Sequence, residues 1–136
     1  MPVRILIADD DLAIRRLLRR IVEEHSDWQV CGEAINGADA VSQTERLAPD
    51  VVILDLAMPQ MNGLQAARRI FKTSPLAHML LLTVQEVSPE LLQEARNAGF
   101  QGVVSKSRGV EVVKGIECLL SEEGFFTSPG RDLSAS

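Results

Sequence analysis

Apolar residues gather in short runs along this chain, and the stretches between the runs repeat at helical spacing. Five runs are continuous or rich in β-branched residues: Val3 to Ala8, Trp28 to Ala34, Val51 to Leu54, Met79 to Thr83 and Gly102 to Val104. After the first, Ile14, Leu17, Leu18, Ile21 and Val22 form an apolar stripe, with Arg15, Arg16, Arg19 and Arg20 largely on the other side. That pattern predicts a first helix with a solvated basic face. A second helix is expected over Gly37 to Leu47, and a third over Gly63 to Lys72 with Leu64, Ala67 and Phe71 inward. Ser88-Pro89-Glu90 opens a fourth: serine caps, proline takes the first helical position, and glutamate favours the positive helix end. The fifth covers Val110 to Ser121, with Val112, Val113, Ile116, Leu119 and Leu120 toward the core and Gly124 as its stop.

Strand alternating with helix implies a parallel sheet wrapped on both faces with right-handed crossovers, an α/β doubly wound fold. Runs such as VVIL and MLLLT agree, because a strand covered on both faces buries every residue. Periodicity does not set the strand order. Among doubly wound orders, the flavodoxin-like order 2-1-3-4-5 places the first, third, fourth and fifth runs together. Asp9, Asp10, Asp55, Thr83 and Lys106 all lie at or just beyond the ends of those runs. They then meet at the edge where open α/β sheets hold ligands.

Three carboxylates within a few ångströms repel one another, so a cation among them is expected. Oxygen donors without histidine or cysteine select Mg²⁺, or Mn²⁺ in its place, over zinc, and magnesium in such sites shares its shell with phosphate oxygens. An ionised carboxylate such as Asp55 is already a nucleophile and needs no general base, which suits an aspartyl phosphate. A transferring phosphoryl group spreads charge over three equatorial oxygens. The metal, the Lys106 ammonium and the Thr83 hydroxyl supply the matching set. Asp11 reads as the cap of the first helix.

Composition limits the alternatives. The chain has 136 residues, 46% hydrophobic and 24% charged, with a formal net charge of -5, enough for one domain with a sizeable core. An acidic chain without an aromatic-studded basic patch lacks the electrostatic footprint of a nucleic-acid binder. No segment approaches the roughly 20 apolar residues of a membrane span, so a cytoplasmic domain is expected. Cys31 and Cys118 sit far apart outside any metal-binding spacing, and His25 and His78 receive no role. Trp28, Met79 and Phe100 are assigned to the core or its margin. A flavin-binding flavodoxin is disfavoured because Asp9-Asp10-Asp11 would repel the phosphate. A dehalogenase-type phosphatase would need a second acid where Ala57 stands, and no phosphate-binding G-x-x-x-x-G-K-[ST] loop is present.

The strings ILIADD, VVILDLAMPQMNG, LLLTV and AGFQGVVSK resemble the signature segments of response-regulator receiver domains of two-component signalling, in the family's order and spacing. The most specific piece is D-L-x-M-P-x-x-x-G at Asp55, Met58, Pro59 and Gly63, and the likeness spans about residues 3 to 122. The resemblance implies a five-stranded sheet in the order 2-1-3-4-5 with five helices over residues 1–123; residues 124–136, short and rich in small polar residues, read as a flexible tail or linker that packs no further than Phe125 and Phe126. It implies that Asp55 accepts a phosphoryl group from the phosphohistidine of a sensor histidine kinase or phosphotransfer protein, or from a small phosphodonor. Asp10, Asp55 and the Ala57 carbonyl would hold Mg²⁺, with Asp9 supporting through water, while Thr83 and Lys106 contact the phosphoryl oxygens. The product is a switch without independent turnover. FFTSP after the fifth helix is similar to receivers that precede a helix-turn-helix DNA-binding domain, so a DNA-binding output domain is one expected partner, with a stand-alone receiver as the alternative; a second copy of the chain is a further expected partner.

The chain also departs from the family pattern. Val103 stands where receivers commonly carry a switching aromatic, and valine is stiff at χ1. Activation is therefore expected to pass through the loop after Thr83 and the helix opened by Ser88. Val84 replaces a usual alanine and should narrow the mouth of the site against small phosphodonors. Ser107 follows Lys106 where a proline, often after a cis bond, is common. Ala57 and Gln85 occupy the positions that tune hydrolysis, and the apolar Ala57 predicts a persistent phosphoryl state. Val103 and Val84 also raise an alternative, a receiver-like interaction module that is not phosphorylated.

Overall fold

The computed structural model describes residues 2–126. Strands and helices alternate: β1 Val3–Ala8, α1 Leu12–Glu23, β2 Trp28–Ala34, α2 Gly37–Leu47, β3 Val51–Asp55, α3 Gly63–Thr73, β4 His78–Thr83, α4 Pro89–Ala98, β5 Gly102–Ser105, α5 Glu111–Leu120 and β6 Phe125–Phe126. All neighbouring strands pair in parallel, in the order β2-β1-β3-β4-β5-β6. This is the flavodoxin-like order with one strand more than the five expected.

The continuous apolar runs follow from burial on both faces. Leu6, Ala8, Val52, Leu54, Met79, Leu81 and Val103 join one core with α2, α3 and α4. Ile5, Ile7, Val51, Ile53, Leu80, Leu82 and Val104 alternate with them into a second core with α1 and α5. A fully buried aliphatic side chain contributes about 1.5–3 kcal/mol, so two such layers hold the strand ends in fixed relation.

The extra strand has a local cause. Phe125 N–H donates to the Gln101 carbonyl at 2.9 Å, and Gly102 and Val103 pair with Phe125 and Phe126. A Cβ at Gly102 would stand 2.5 Å from the Phe125 carbonyl oxygen, and one at Gly115 would stand 3.2 Å from its ring. At Gly102, against backbone, only glycine leaves room. The Arg96 guanidinium of α4 lies 4.3 Å from the Phe126 ring centroid, a cation–π contact. Thr127 to Ser136, and with them most of the expected tail, lie outside the described residues.

Three helix faces differ from the periodic reading. On α1, Leu18 and Val22 are buried, Leu17 is 47% exposed and the Arg15 side chain only 12% exposed. At 3.6 residues per turn the contact face centres between Leu18 and Val22, with Arg15 on its inner flank and Leu17 beyond the opposite one. On α3, Ile70 and Ala67 take the inward positions while Phe71 is 52% exposed, its ring resting against Gly99. Val110 is exposed ahead of α5 rather than part of it.

The cause of the α1 rotation lies in β2. Ile5 pairs with Val30 but Leu6 pairs with Gly32, so Cys31 is a bulge residue that reverses which side each later residue faces. Glu33 therefore aligns with Ile7, on the α1 side, and meets Arg15 and Arg19 there. Among the described residues no peptide bond is cis, so the Lys106–Ser107 bond is trans.

Candidate functional site

Each anticipated residue reaches the carboxyl-end edge of the sheet by a different short route. Asp9 and Asp10 follow β1 directly, the first buried and the second exposed. Asp9 Oδ1 accepts from Asp11 N–H at 2.9 Å, and Asp11 caps α1 by accepting from Ala13 N–H at 2.8 Å. Asp55 is the buried last residue of β3. The chain after it turns back so closely that a Cβ at Gly63 would stand 2.4 Å from the Asp55 carbonyl oxygen. Asn62 and Gln65 then start α3 with a reciprocal capping box. Glycine in the D-L-x-M-P-x-x-x-G string thus packs α3 onto the end of β3.

Lys106, the first residue after β5, enters from the far side. Its Nζ lies 2.7 Å from Asp9 Oδ2 and 3.0 Å from Asp55 Oδ1. Asp9 Oδ2 is buried with no other hydrogen-bond partner. Carboxylate oxygens of Asp9, Asp10 and Asp55 all lie within 4.8 Å of one another. Three carboxylates and one ammonium leave two formal negative charges, which a divalent cation would cancel. The all-oxygen donor set, open through exposed Asp10, fits a hard ion such as Mg²⁺ or Mn²⁺.

The electrostatics agree with a pocket short of positive charge. Burial, with the Asp9 charge added, pushes the Asp55 carboxyl above its ordinary value against the opposing pull of Lys106 and the Ala57 backbone. Burial alone would lower Lys106. Its hydrogen bonds and attraction to Asp9 and Asp55 outweigh that and raise it, so the ammonium is retained.

Thr83 is the buried end of β4, the strand paired with β3, where Leu82 aligns with Asp55. Its Oγ1 accepts from Gln85 N–H at 2.9 Å, so the next loop starts on this hydroxyl. Val84 is 76% exposed at that turn. Ala57 is exposed in the loop after Asp55. The histidines lie elsewhere: His25 stacks on Trp28, and His78 Nδ1 meets Gln101 Oε1 at 2.9 Å. One residue was missed by periodicity, Arg15, which bonds the Asp9 carbonyl from the flank of α1. Its only sequence signal is an acid, Glu33, at the end of the second run.

A doubly wound sheet with an acidic pocket and a lysine at its switch edge is a receiver-like architecture. The chain belongs to the response regulator receiver domain family, whose model matches residues 5–116. It is 39% identical over 110 residues to a protein-glutamate methylesterase/protein-glutamine glutaminase of Myxococcus xanthus, covering 81% of this chain and 31% of that protein. It is 35% identical over 127 residues to the response regulator UvrY of Escherichia coli, covering 93% of this chain and 58% of that protein. A solved LuxR-family two-component response regulator from an Aurantimonas species superposes with a TM-score of 0.88 at 30% identity, covering 95% of this chain and 91% of that one. The chain thus spans about a third of the methylesterase, and the shared part is the receiver. No helix among the described residues is long and apolar enough to cross a membrane.

Proposed function

We propose that this receiver is a phosphorylation-driven switch in which Asp55 is the phosphoacceptor. The observation that carries the reading is the Lys106 ammonium held between Asp9 and buried Asp55, at 2.7 and 3.0 Å, beside exposed Asp10. In the transfer, an Asp55 carboxylate oxygen forms a bond to phosphorus as the phosphorus–nitrogen bond of a kinase or phosphotransfer protein's phosphohistidine breaks. The electron pair leaves with the imidazole, which takes a proton. Lys106 then moves its charge to the phosphoryl oxygens, and the Thr83 hydroxyl donates to another.

Asp10, Asp55 and the Ala57 carbonyl would hold Mg²⁺, with Asp9 acting through water. When bound, the ion offsets the pocket's negative charge so that an anionic donor can approach. Ala57 offers the acyl phosphate no polar side chain to align water, which favours a persistent phosphoryl state. The domain has no independent turnover, works in the cytoplasm, and passes its state to an output domain or partner. Thr83 is tied through Gln85 to the loop that leads into α4, and Val103 is a buried valine. These support a signal carried by the 84–88 loop and α4. On phosphorylation, amide NMR shifts should extend along residues 84–98. Changes confined to the loop after Asp55 would contradict this route.

The reading is tested by intact mass after incubation with Mg²⁺ and a small phosphodonor. The parent gains one phosphoryl group, and Asp55→Asn or chelation of the metal abolishes the gain. Equal labelling of parent and Asp55→Asn would overturn it.

A further inference from the structure

Behind the acidic pocket lies a second charged layer that the proposed chemistry does not use. The Arg15 guanidinium binds in two directions: Nε donates to Glu33 Oε1 at 3.0 Å, and Nη1 donates to the Asp9 carbonyl oxygen at 2.8 Å. Glu33 is held on its other oxygen by Arg19 Nε at 2.8 Å. The Asp9 N–H donates to Ala34 O at 3.1 Å, so the backbone of Asp9 is fixed on both sides. Its carbonyl belongs to the peptide joining Asp9 to Asp10, and rotation of that peptide would swing the Asp10 side chain.

Such a tie has work to do in this pocket. Three clustered carboxylates repel one another, and Asp10, being exposed, could relieve the strain by turning to water. The bulge at Cys31 brings Glu33 to the α1 side, where it fixes the guanidinium. Burial would raise the Glu33 carboxyl, but hydrogen bonds and attraction from Arg19 and Arg15 outweigh it and hold it below the usual carboxylate range. By contrast, the Arg19–Glu23 pair is 3.5 Å long and half exposed, and it touches nothing in the pocket.

We propose that Arg15, aimed by Glu33, is a positioning residue: it locks the Asp9–Asp10 peptide so that both carboxylates face Asp55, raising the pocket's affinity for a divalent cation. This rests on the phosphoacceptor reading above. Groups that orient metal ligands from behind commonly change metal affinity by 10- to 100-fold.

The test measures Mn²⁺ binding by electron paramagnetic resonance, and the rate of Asp55 phosphorylation against Mg²⁺ concentration with a small phosphodonor. Arg15→Ala should bind Mn²⁺ about tenfold more weakly and need correspondingly more Mg²⁺ for half-maximal rate, while the rate at saturating Mg²⁺ falls much less. Arg15→Lys, which reaches the carbonyl or the carboxylate but not both, should recover part of the loss. Arg19→Ala, which frees only the second oxygen of Glu33 and leaves both Arg15 bonds in place, should stay close to the parent. Unchanged Mn²⁺ affinity in Arg15→Ala, or an equal loss in Arg19→Ala, would overturn the proposal. Should Arg15→Ala not fold, Glu33→Gln carries the test: an intermediate loss supports the clamp and none removes it. A parent that takes up neither metal nor phosphoryl sinks the phosphoacceptor reading itself, whereas a competent parent with unaffected variants sinks only the clamp.

Discussion

On the α1 side of the pocket, every polar group of Asp9 is engaged: its N–H by Ala34, its carbonyl by Arg15, and its carboxylate by Asp11 and Lys106. On the α4 side, Val84, Gln85 and Glu86 are exposed, and the loop is held by one bond to Thr83, by buried Val87 and by the Ser88 cap. On the proposed reading, the first wall presets the ligands of a cation before it arrives. The second has few buried contacts, the trait expected of elements that move. Binding geometry and signal output, on the same proposed reading, fall on opposite sides of one cleft.

Lys106 spans both acids and is the largest lever on that division. Lys106→Ala should slow phosphorylation of Asp55 by about 100-fold, the usual cost of removing one donor to developing charge, as read by phosphoryl incorporation at saturating Mg²⁺. A loss of only a few fold would mean that the metal-side wall suffices without it.

Next in size is the charge of Asp55 itself. Its carboxyl is raised in the folded state by burial and by Asp9. Stability is then fully present below the ordinary aspartate value and declines as pH rises through the elevated folded value. In chelator at neutral pH, Asp55→Asn should melt a few degrees above the parent, the gap closing in acid and narrowing when Mg²⁺ binds the native parent. Thermal melts across pH check this, and a lower-melting variant would count against it. The smallest effect is expected on the exposed wall: Val84→Ala should give a modest gain in rate with acetyl phosphate and none with a kinase donor. An unchanged rate removes Val84 as a gate.

Most of the fold was legible because buried parallel strands and amphipathic helices carry different periods, and the site because its acids fall at strand ends. The failures share a cause. A bulge such as that at Cys31 leaves no periodic trace, yet it turned Glu33 toward α1, drew Arg15 inward and left Leu17 outside. A two-residue strand has no period at all. Phe125 and Phe126 were expected to pack, though not as a strand; they lie against Gly102 and Gly115. Phe71 was misplaced because Ile70 beside it filled the same gap.

Those two phenylalanines bear on how the edge of the sheet is covered. Unpaired N–H and C=O groups along an outer strand invite another molecule to add on, a common start of aggregation. Phe125 and Phe126 occupy that lane over Gly102 and Val103. A recombinant fragment ending before Phe125 would lay this stretch of β5 bare, so the shortest well-behaved version of the domain should extend through Phe126.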